Sequence, residues 1–218
     1  MHVAFDIGNV LATVDLTKFT NKLKEHIPPE ADPMFFLEHL QASQDLGLTT
    51  IRQSLRHHHN IHDPERVEPL IQAWNESVVP NEMMLNFMDS LRSDGVKIAL
   101  LSNIGLEHAE YLKKTCPRMF KDTIEHLSYE VGARKPSKIY YQSFLMDKNE
   151  WTGAVYLDDR EENLKAGKQY SFKSFKFCLD EVLTWPISKQ RIELNKVRSY
   201  IFDRKYDGAP HRSGKVAK

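Results

Sequence analysis

Short apolar runs alternate with segments of helical spacing over most of the chain. Runs typical of buried strands cover residues 3–5, 97–101, 154–157 and 172–177. Helical spacing covers residues 82–93, 107–114, 137–146 and 161–167, and Gly95 and Gly167 stand where two of these helices should end. Strands that alternate with helices predict an α/β fold in which helices cover both faces of a parallel sheet.

A segment after the first strand departs from this alternation. Residues 14–79 show helical stripes and no convincing strand. The stripes are Phe19, Leu23 and Ile27; Phe35, Phe36 and Leu40; Ile51 and Leu55; and Val67, Leu70, Ile71 and Trp74. An insertion at this point stands over the carboxyl end of the first strand, where open α/β sheets bind ligands. We therefore expect a helical cap at 14–79, an α/β core at 1–13 and 80–185, and a basic C-terminal helix and tail at 186–218.

Polar residues of a particular kind follow the predicted strands. Asp6 follows the first strand, Ser102-Asn103 the second, and Asp158-Asp159 a later one. Lys135 precedes a proline that can start a helix. Because parallel strands end at one edge of a sheet, these carboxylates, the hydroxyl and the ammonium should converge there. Taken singly, each also fits ordinary loop or helix-start chemistry, but their order along the chain favours one joint site.

This set of groups suits the binding of a metal and a phosphate. Asp6 close to Asp158 and Asp159 would be repelled by them, and like charges raise carboxyl pKa values or require a cation. Magnesium held by one or two carboxylates, water and substrate phosphate resolves that conflict. Ser102 and Lys135 could bind and neutralise a phosphoryl group. Asp6 could then attack phosphorus as a nucleophile.

Four motifs give the chain a family resemblance. The segments DIGNV (6–10), LLSN (100–103), RKP (134–136) and LDD (157–159), with Asn163, resemble the four motifs of the haloacid dehalogenase (HAD) superfamily. The likeness is strongest to its branch of alpha-D-glucose-1-phosphate phosphatases and to the phosphatase domain of soluble epoxide hydrolase. The resemblance implies a Rossmann-like core with a parallel sheet and a helical cap inserted after the first strand. It implies a magnesium-dependent phosphatase acting on a small phosphorylated metabolite, such as a sugar phosphate.

The resemblance also assigns roles to residues. Asp6 would be the nucleophile that becomes an aspartyl-phosphate, and Lys135 would assist it. The implied Mg²⁺ ligands are Asp6, the main-chain carbonyl of Gly8, Asp159, and Asp158 acting through water or by orienting the other ligands. The implied contacts to the phosphoryl group come from Gly8, Asn9, Ser102, Asn103 and Lys135. Asn163 would support the acidic loop.

Gly8 is a departure from the family pattern. Most phosphatases of this superfamily carry a second aspartate there, which protonates the leaving group and then activates water. General acid and base assistance is worth about 10²- to 10⁴-fold, so we expect turnover to be slow or restricted to activated esters. Two alternatives stay open: a catalytically impaired HAD-fold binding or regulatory protein, and a 2-haloacid dehalogenase that uses the same Asp6.

The composition of the chain limits the binding partners and the cellular location that we expect for it. The chain has 218 residues, with 30 Lys+Arg, 30 Asp+Glu and 41% hydrophobic residues, which argues against a nucleic-acid-binding surface over the whole protein. No apolar run is long enough for a membrane span, and no secretory signal is visible. Two cysteines fit a reducing compartment, so we expect a cytoplasmic protein. The oligomeric state is left open.

Histidines cluster within the expected cap. His57, His58 and His59 are consecutive, and His62 follows closely. Consecutive histidines on a helix point in different directions, so at most two could share a metal. The favoured interpretation is a polar helix end. An alternative is that one of these histidines reaches the site and donates the proton that Gly8 cannot.

Overall fold

The computed structural model describes residues 1–28 and 32–203. Its strands, numbered along the chain, are β1 His2–Phe5, β2 Ala12–Val14, β3 Val78–Pro80, β4 Lys97–Ser102, β5 Thr123–Leu127, β6 Val155–Asp158 and β7 Lys173–Lys176. Among the described residues, five parallel strands form one sheet in the order β5-β4-β1-β6-β7. The predicted α/β fold with a parallel sheet is confirmed.

Helices occupy the segments between the strands. In the core they are α5 Glu82–Ser93, α6 Leu106–Thr115, α7 Pro117–Phe120, α8 Ser128–Val131, α9 Lys138–Met146, α10 Glu161–Gln169, α11 Leu179–Leu183 and α12 Ile187–Phe202. In the insertion they are α1 Thr17–Lys24, α2 Pro33–Asp45, α3 Ile51–His59 and α4 Pro64–Asn75. A short 3-10 turn spans Asn149–Trp151.

The central strands are buried on both faces, which explains why they are continuously apolar. Side chains alternate along a strand, so Phe5 and Leu100 pack on the face covered by α5, α6 and α12. Ala4 and Tyr156 point to the opposite face, which α9 and α10 cover. Each face thus has its own apolar cluster, as expected for a sheet between two helical layers.

Strand register brings the ends of β1, β4 and β6 level with one another. Phe5 pairs with Leu100 on one side and with Leu157 on the other. The backbone N–H of Asp6 extends this pairing and donates to the Leu157 carbonyl at 2.9 Å. The residues that follow these positions therefore lie side by side at the carboxyl edge of the sheet.

The insertion after β1 packs around an apolar cluster of its own. Phe19 from α1, Leu40 from α2, Leu55 from α3 and Trp74 from α4 are all buried in it. Helix α3 begins with a capping box in which Thr50 and Gln53 satisfy each other's backbone N–H groups. The four helices α1 to α4 are called the cap below.

A two-stranded antiparallel ribbon joins the cap to the core. The chain leaves the core along β2 and returns along β3, with Ala12 opposite Pro80 and Val14 opposite Val78. The Asp15 N–H extends the ribbon by donating to the Ser77 carbonyl at 2.8 Å. Both connections are therefore tied together, which limits the directions in which the cap can move.

Several local expectations were wrong. Residues 14–79 include strand residues at both ends, because the three-residue strands β2 and β3 are too short to show a period. Strand β5 at the sheet edge was missed, since its mixed sequence TIEHL is buried mainly at its end. Gly167 does not end α10, which continues to Gln169, and it allows Tyr156 to approach closely. Phe35 is 64% exposed, and Leu37 is buried in the cap instead.

The C-terminal region is described in part. Helix α12 ends at Phe202, and the expected basic tail beyond Asp203 lies outside the described residues. Val197 and Ile201 anchor α12 on the core cluster. Within the described ranges, the helices are too short or too polar to cross a membrane.

We predict that Gly47→Ala destabilises the protein more than Gly95→Ala. Both glycines have positive φ angles, +69° and +76°, so alanine costs each about 1 kcal/mol of left-handed strain. A Cβ at Gly47 would in addition overlap the Tyr129 carbonyl oxygen of the core, whereas one at Gly95 meets no described atom within 4 Å. The clash should add about 1–3 kcal/mol in the free energy of unfolding, measured by denaturant titration. Equal losses in the two variants would contradict close docking of the cap on α8.

Candidate active site

The predicted site residues come together at the carboxyl edge of the sheet. Asp6 follows β1, Ser102 ends β4, and Asp158 ends β6. Lys135 reaches the same place from the segment between α8 and α9. All four side chains are buried, with Lys135 2% exposed and Asp158 fully enclosed. The strand ends and the segment before α9 together therefore assemble a buried charged cluster.

Lys135 joins the cluster electrostatically. Its Nζ lies 3.0 Å from Asp6 Oδ2 and 2.7 Å from Asp158 Oδ2. The third donor direction is taken by the Leu101 carbonyl at 2.8 Å. Burial alone would lower the pKa of Lys135, but Asp158 and Asp6 outweigh it and raise the pKa above its ordinary value. The lysine is therefore a fixed cation between two carboxylates.

Asp158 is held by donors on both oxygens. Its Oδ1 accepts from the Arg160 N–H at 2.8 Å and from Asn163 Nδ2 at 3.0 Å. Its Oδ2 accepts from Lys135 and from the Tyr156 hydroxyl. Burial would raise the pKa of Asp158, but Lys135 and these hydrogen bonds keep it below the ordinary value. Asp158 is thus ionised and held in place, and its oxygens have little capacity left to bind a metal ion directly.

Asp6 is oriented by neighbours on both sides of its carboxylate. Its Oδ1 accepts from the Ile7 N–H and from the Ser102 hydroxyl, each at 2.7 Å. Burial raises the pKa of Asp6, Lys135 opposes the rise, and the nearby Asp158 adds to it. Asp6 therefore sits in an environment in which added positive charge would favour its ionised form.

Asp159 and Asn9 form the more open side of the site. Asn9 donates from Nδ2 to Asp159 Oδ2 at 3.4 Å, and its backbone has a positive φ of 53° that turns the chain after β1. Burial and then Asp158 raise the pKa of Asp159. Gly8, on the same turn, lines the cavity described below with Asn9 and Asp159.

The three aspartates fit a hard divalent cation. Asp6, Asp158 and Asp159 each place a carboxylate oxygen within 4.8 Å of the others. Oxygen ligands and few protein carboxylates are what Mg²⁺ prefers. Burial and the charge of Asp158 raise the pKa values of Asp6 and Asp159, and a bound cation would oppose that rise. The residues present therefore fit magnesium, with Asp6 and Asp159 as the available ligands.

The side chain of Asn103 is hydrogen-bonded to the backbone of Lys135. Its Nδ2 donates to the Lys135 carbonyl at 2.9 Å, and its Oδ1 accepts from the Lys135 N–H at 2.8 Å. This double hydrogen bond aligns the backbone of the lysine. Asn103 thus holds Lys135, and because it also lines the cavity described below, its expected contact with a phosphoryl group stays a prediction.

A cavity of about 220 Å³ opens over the cluster. The predicted residues on its wall are Asp6, Gly8, Asn9, Ser102, Asn103, Asp159 and Asn163, whereas Lys135 and Asp158 lie beneath them. The cap supplies the other wall with Gln41, Gln44, Asp45 and Trp74. Gln44 is 1% exposed, and its amide has no hydrogen-bond partner among the described residues. That amide is therefore available to a bound molecule.

Several of these residues were missed by sequence reasoning. Tyr156 could have been found, since it lies two residues before Asp158 on a strand and so shares its face. Arg134 lies in the quoted RKP segment, but its partner Asp45 comes from a distant helix. Gln44 and Asp45 carry no local signal, because helix packing alone brings the end of α2 to the cavity.

The histidine cluster lies apart from this cavity where it is described. His57 is exposed, and His62 contacts Asn60 Oδ1 through Nε2 at 2.6 Å. Neither lines the cavity. The side chains of His58 and His59 lie outside the described residues. The idea that His57 or His62 supplies a proton to the site is therefore wrong.

The fold is similar to that of solved HAD family enzymes and haloacid dehalogenases. A HAD family enzyme from Bacteroides thetaiotaomicron, solved with magnesium and inorganic phosphate, is similar over 80% of this chain and 92% of its own, with 22% identity and a TM-score of 0.70. A structure described as a predicted HAD-like family hydrolase from Porphyromonas gingivalis covers 88% of this chain and 97% of its own, with 18% identity and a TM-score of 0.66. The L-2-haloacid dehalogenase of Xanthobacter autotrophicus covers 96% of this chain and 91% of its own, with 14% identity and a TM-score of 0.54.

Comparisons at the level of sequence add nothing to this likeness. No protein-family model matches the chain, and no curated protein sequence matches it either. The similarity at these identities establishes the fold, and the expected HAD-like architecture is confirmed.

We predict that Lys135→Met lowers the free energy of unfolding by about 3–5 kcal/mol, because it leaves buried carboxylates without their cation. Without the ammonium, the pKa of Asp158 should rise above that of the unfolded chain, and the pKa of Asp6, which burial already raises, should rise further. The folded variant then binds more protons than its unfolded state, so its stability falls as pH rises. The deficit against the unsubstituted protein should be larger at about pH 8 than at about pH 5.

The matched control is Lys138→Met, at an exposed position at the start of α9. Denaturant titrations of both variants at the two pH values provide the measurement. A Lys135→Met variant as stable as the control, or a deficit independent of pH, would contradict the role of Lys135 as the buried counter-ion.

Proposed function

We propose that this protein is a magnesium-dependent phosphomonoester hydrolase that acts through an aspartyl-phosphate on Asp6. Its substrate is a small phosphorylated metabolite, such as a sugar phosphate. The observation that best supports this proposal is the buried cluster in which Lys135 contacts both Asp6 and Asp158, with a carboxylate oxygen of Asp159 within 4.8 Å of those of the two aspartates. The magnesium and phosphate in the Bacteroides enzyme of the same fold support the proposal.

Asp6 performs the nucleophilic step. The Ile7 N–H and the Ser102 hydroxyl hold its Oδ1, which fixes the direction of the carboxylate. A carboxylate held in this way can attack phosphorus without first losing orientational freedom. Lys135 lies 3.0 Å from Oδ2 and favours the ionised form that the attack requires.

The acidic residues complete the site. Asp6 and Asp159 would hold Mg²⁺, with Asp158 orienting the surrounding groups. When bound, the ion would offset the negative charge of the phosphoryl oxygens. Asn163 keeps Asp158 in place through Nδ2, and Asn103 keeps the Lys135 backbone in place. The protein thus needs little motion of these residues during catalysis.

The size and lining of the cavity support a small polar leaving group. A space of about 220 Å³ is below the range of roughly 300–1,000 Å³ that is usual for drug-sized ligands. Gln44 offers an amide donor and acceptor with no described protein partner. These properties suit the hydroxyl groups of a small metabolite better than a large apolar group.

The cytoplasm is the proposed location. Cys116 and Cys178 are both free thiols, which supports a reducing compartment. The partner is the phosphorylated metabolite, and the even balance of charge argues against nucleic acid.

We predict that Asp6→Asn lowers kcat by about 10⁴-fold or more, since the amide cannot form the covalent intermediate. A panel of phosphorylated metabolites assayed with magnesium provides the measurement, and release of inorganic phosphate is the readout. Asp147→Asn, at an exposed position after α9, is the control and should retain full activity. Equal turnover by the unsubstituted protein and Asp6→Asn would refute the proposal.

We also predict that a chelator abolishes hydrolysis and that added Mg²⁺ restores it. Two carboxylates crowded with a phosphoryl group repel that group unless a cation is bound. A titration of activity against free Mg²⁺ provides the measurement. Activity on 2-haloacids that survives the chelator would instead support the dehalogenase alternative, which needs no metal. Magnesium binding without turnover of any phosphate ester would support the binding or regulatory alternative.

A further inference from the structure

The proposed function leaves one proton without a source. The leaving oxygen of a phosphate ester needs a proton unless it is already a stable anion. Gly8 occupies the place from which a second aspartate would donate it, and glycine has no side chain to do so. Under the proposed function, on which this inference rests, the proton donor must therefore lie elsewhere on the wall of the cavity.

Four carboxyl or imidazole groups lie on the described wall of the cavity: Asp6, Asp45, His108 and Asp159. Asp6 is the proposed nucleophile, and Asp159 would be a ligand of the cation. His108 is bound through Nε2 to the Trp74 carbonyl at 2.8 Å, and burial lowers its pKa to about 4, so it stays neutral. Asp45 is the remaining group.

Asp45 lines the cavity from the cap, whereas Asp6 lines it from the core. Asp45 is the last residue of α2, and Asp6 follows β1. Phosphoryl transfer proceeds in line, so the leaving oxygen points away from the nucleophile. A donor that serves this oxygen is therefore expected on the cap side of the cavity.

An ion pair fixes Asp45 relative to the reacting groups. Its Oδ2 lies 3.3 Å from Arg134 Nη2, and Arg134 is adjacent in sequence to Lys135, which contacts Asp6. Gly105 lets α2 come this close, because a Cβ there would lie 2.9 Å from Gln44 Cβ. The close packing of α2 against the core thus sets the position of Asp45.

We propose that Asp45 is the general acid and base of this enzyme. In the first step an oxygen of Asp6 bonds to phosphorus, the bond from phosphorus to the ester oxygen breaks, and that oxygen takes the proton of Asp45. In the second step the Asp45 carboxylate takes a proton from water while the water oxygen bonds to phosphorus. The bond from phosphorus to Asp6 then breaks, and Asp45 is protonated again.

The charges around Asp45 suit this exchange. Burial raises its pKa to about 6, while Arg134, Lys135 and Arg160 act in the opposite direction. A phosphoryl group in the cavity brings further negative charge and favours the protonated acid. A group that titrates near the operating pH can serve as acid in one step and base in the next.

The test separates phosphorylation of Asp6 from its hydrolysis. Asp45→Asn should slow phosphorylation by an alkyl phosphate monoester about 10²- to 10⁴-fold in single-turnover experiments. It should slow phosphorylation by 4-nitrophenyl phosphate only a few-fold, because that leaving group needs no proton. In the unsubstituted protein, the rate with the alkyl phosphate should decline towards alkaline pH as Asp45 loses its proton. In Asp45→Asn, this decline should be absent. Glu38→Gln, an exposed carboxyl on the same helix, is the matched control and should preserve both rates and the pH profile.

A second variant distinguishes loss of the acid from loss of structure. Among described atoms, a Cβ at Gly8 would contact only Val14 Cγ2 within 4 Å, at an ordinary distance of 3.5 Å. The Cβ of an aspartate therefore fits at position 8. Adding Gly8→Asp to the Asp45→Asn variant should raise its rate of phosphorylation by the alkyl phosphate at least tenfold. The same substitution in the unsubstituted protein should raise that rate much less.

Equal slowing of both substrates by Asp45→Asn would overturn the role of Asp45, as would an unchanged rate or an absence of rescue. These outcomes leave the proposed function intact as long as the unsubstituted protein still phosphorylates Asp6. If the unsubstituted protein never carries phosphate on Asp6, the proposed function itself fails.

Discussion

A single buried lysine determines how this site is arranged. Lys135 lies between Asp6 and Asp158, and its three donor directions are all used within the protein. Enclosing two carboxylates at the end of a sheet is costly unless a cation is enclosed with them. Asn103, Tyr156 and Asn163 act mainly to keep this ion pair in one geometry. The arrangement leaves Asp6 accessible from the cavity and gives Asp158 a supporting role.

The cap determines what the charged cluster can act upon. It has its own apolar core, so its helices keep their shape while the two strands of the ribbon tie it to the sheet. The end of α2 and the turn after it pack on the core through Gln44, Asp45 and Gly47. Gln44 and Asp45 thereby line the same cavity as Asp6. Under the proposed function, the sheet edge carries the chemistry and helix packing selects the leaving group.

The fold was largely predictable because its signals are local. Buried strands are continuously apolar, and the residues after them follow in an order that only a parallel sheet brings together. Strand β5 was not predictable in this way, since an edge strand needs only one apolar face. The place of Asp6 and Lys135 followed from topology, but the contribution of Asp45 did not, because it depends on how a cap helix packs against a distant loop. Gly8 was visible in the sequence as a missing acid, and only the structure shows which residues of the cap line the same cavity.

The most direct test of the account is the capture of phosphate on Asp6. The protein, magnesium and 4-nitrophenyl phosphate would be mixed, quenched in acid within the first turnover and digested, and the peptides analysed by mass spectrometry. The account predicts a phosphorylated peptide that contains Asp6, sensitive to hydroxylamine as an acyl phosphate is, and absent from Asp6→Asn. Turnover with no phosphate on Asp6, or with phosphate on another residue, would contradict it.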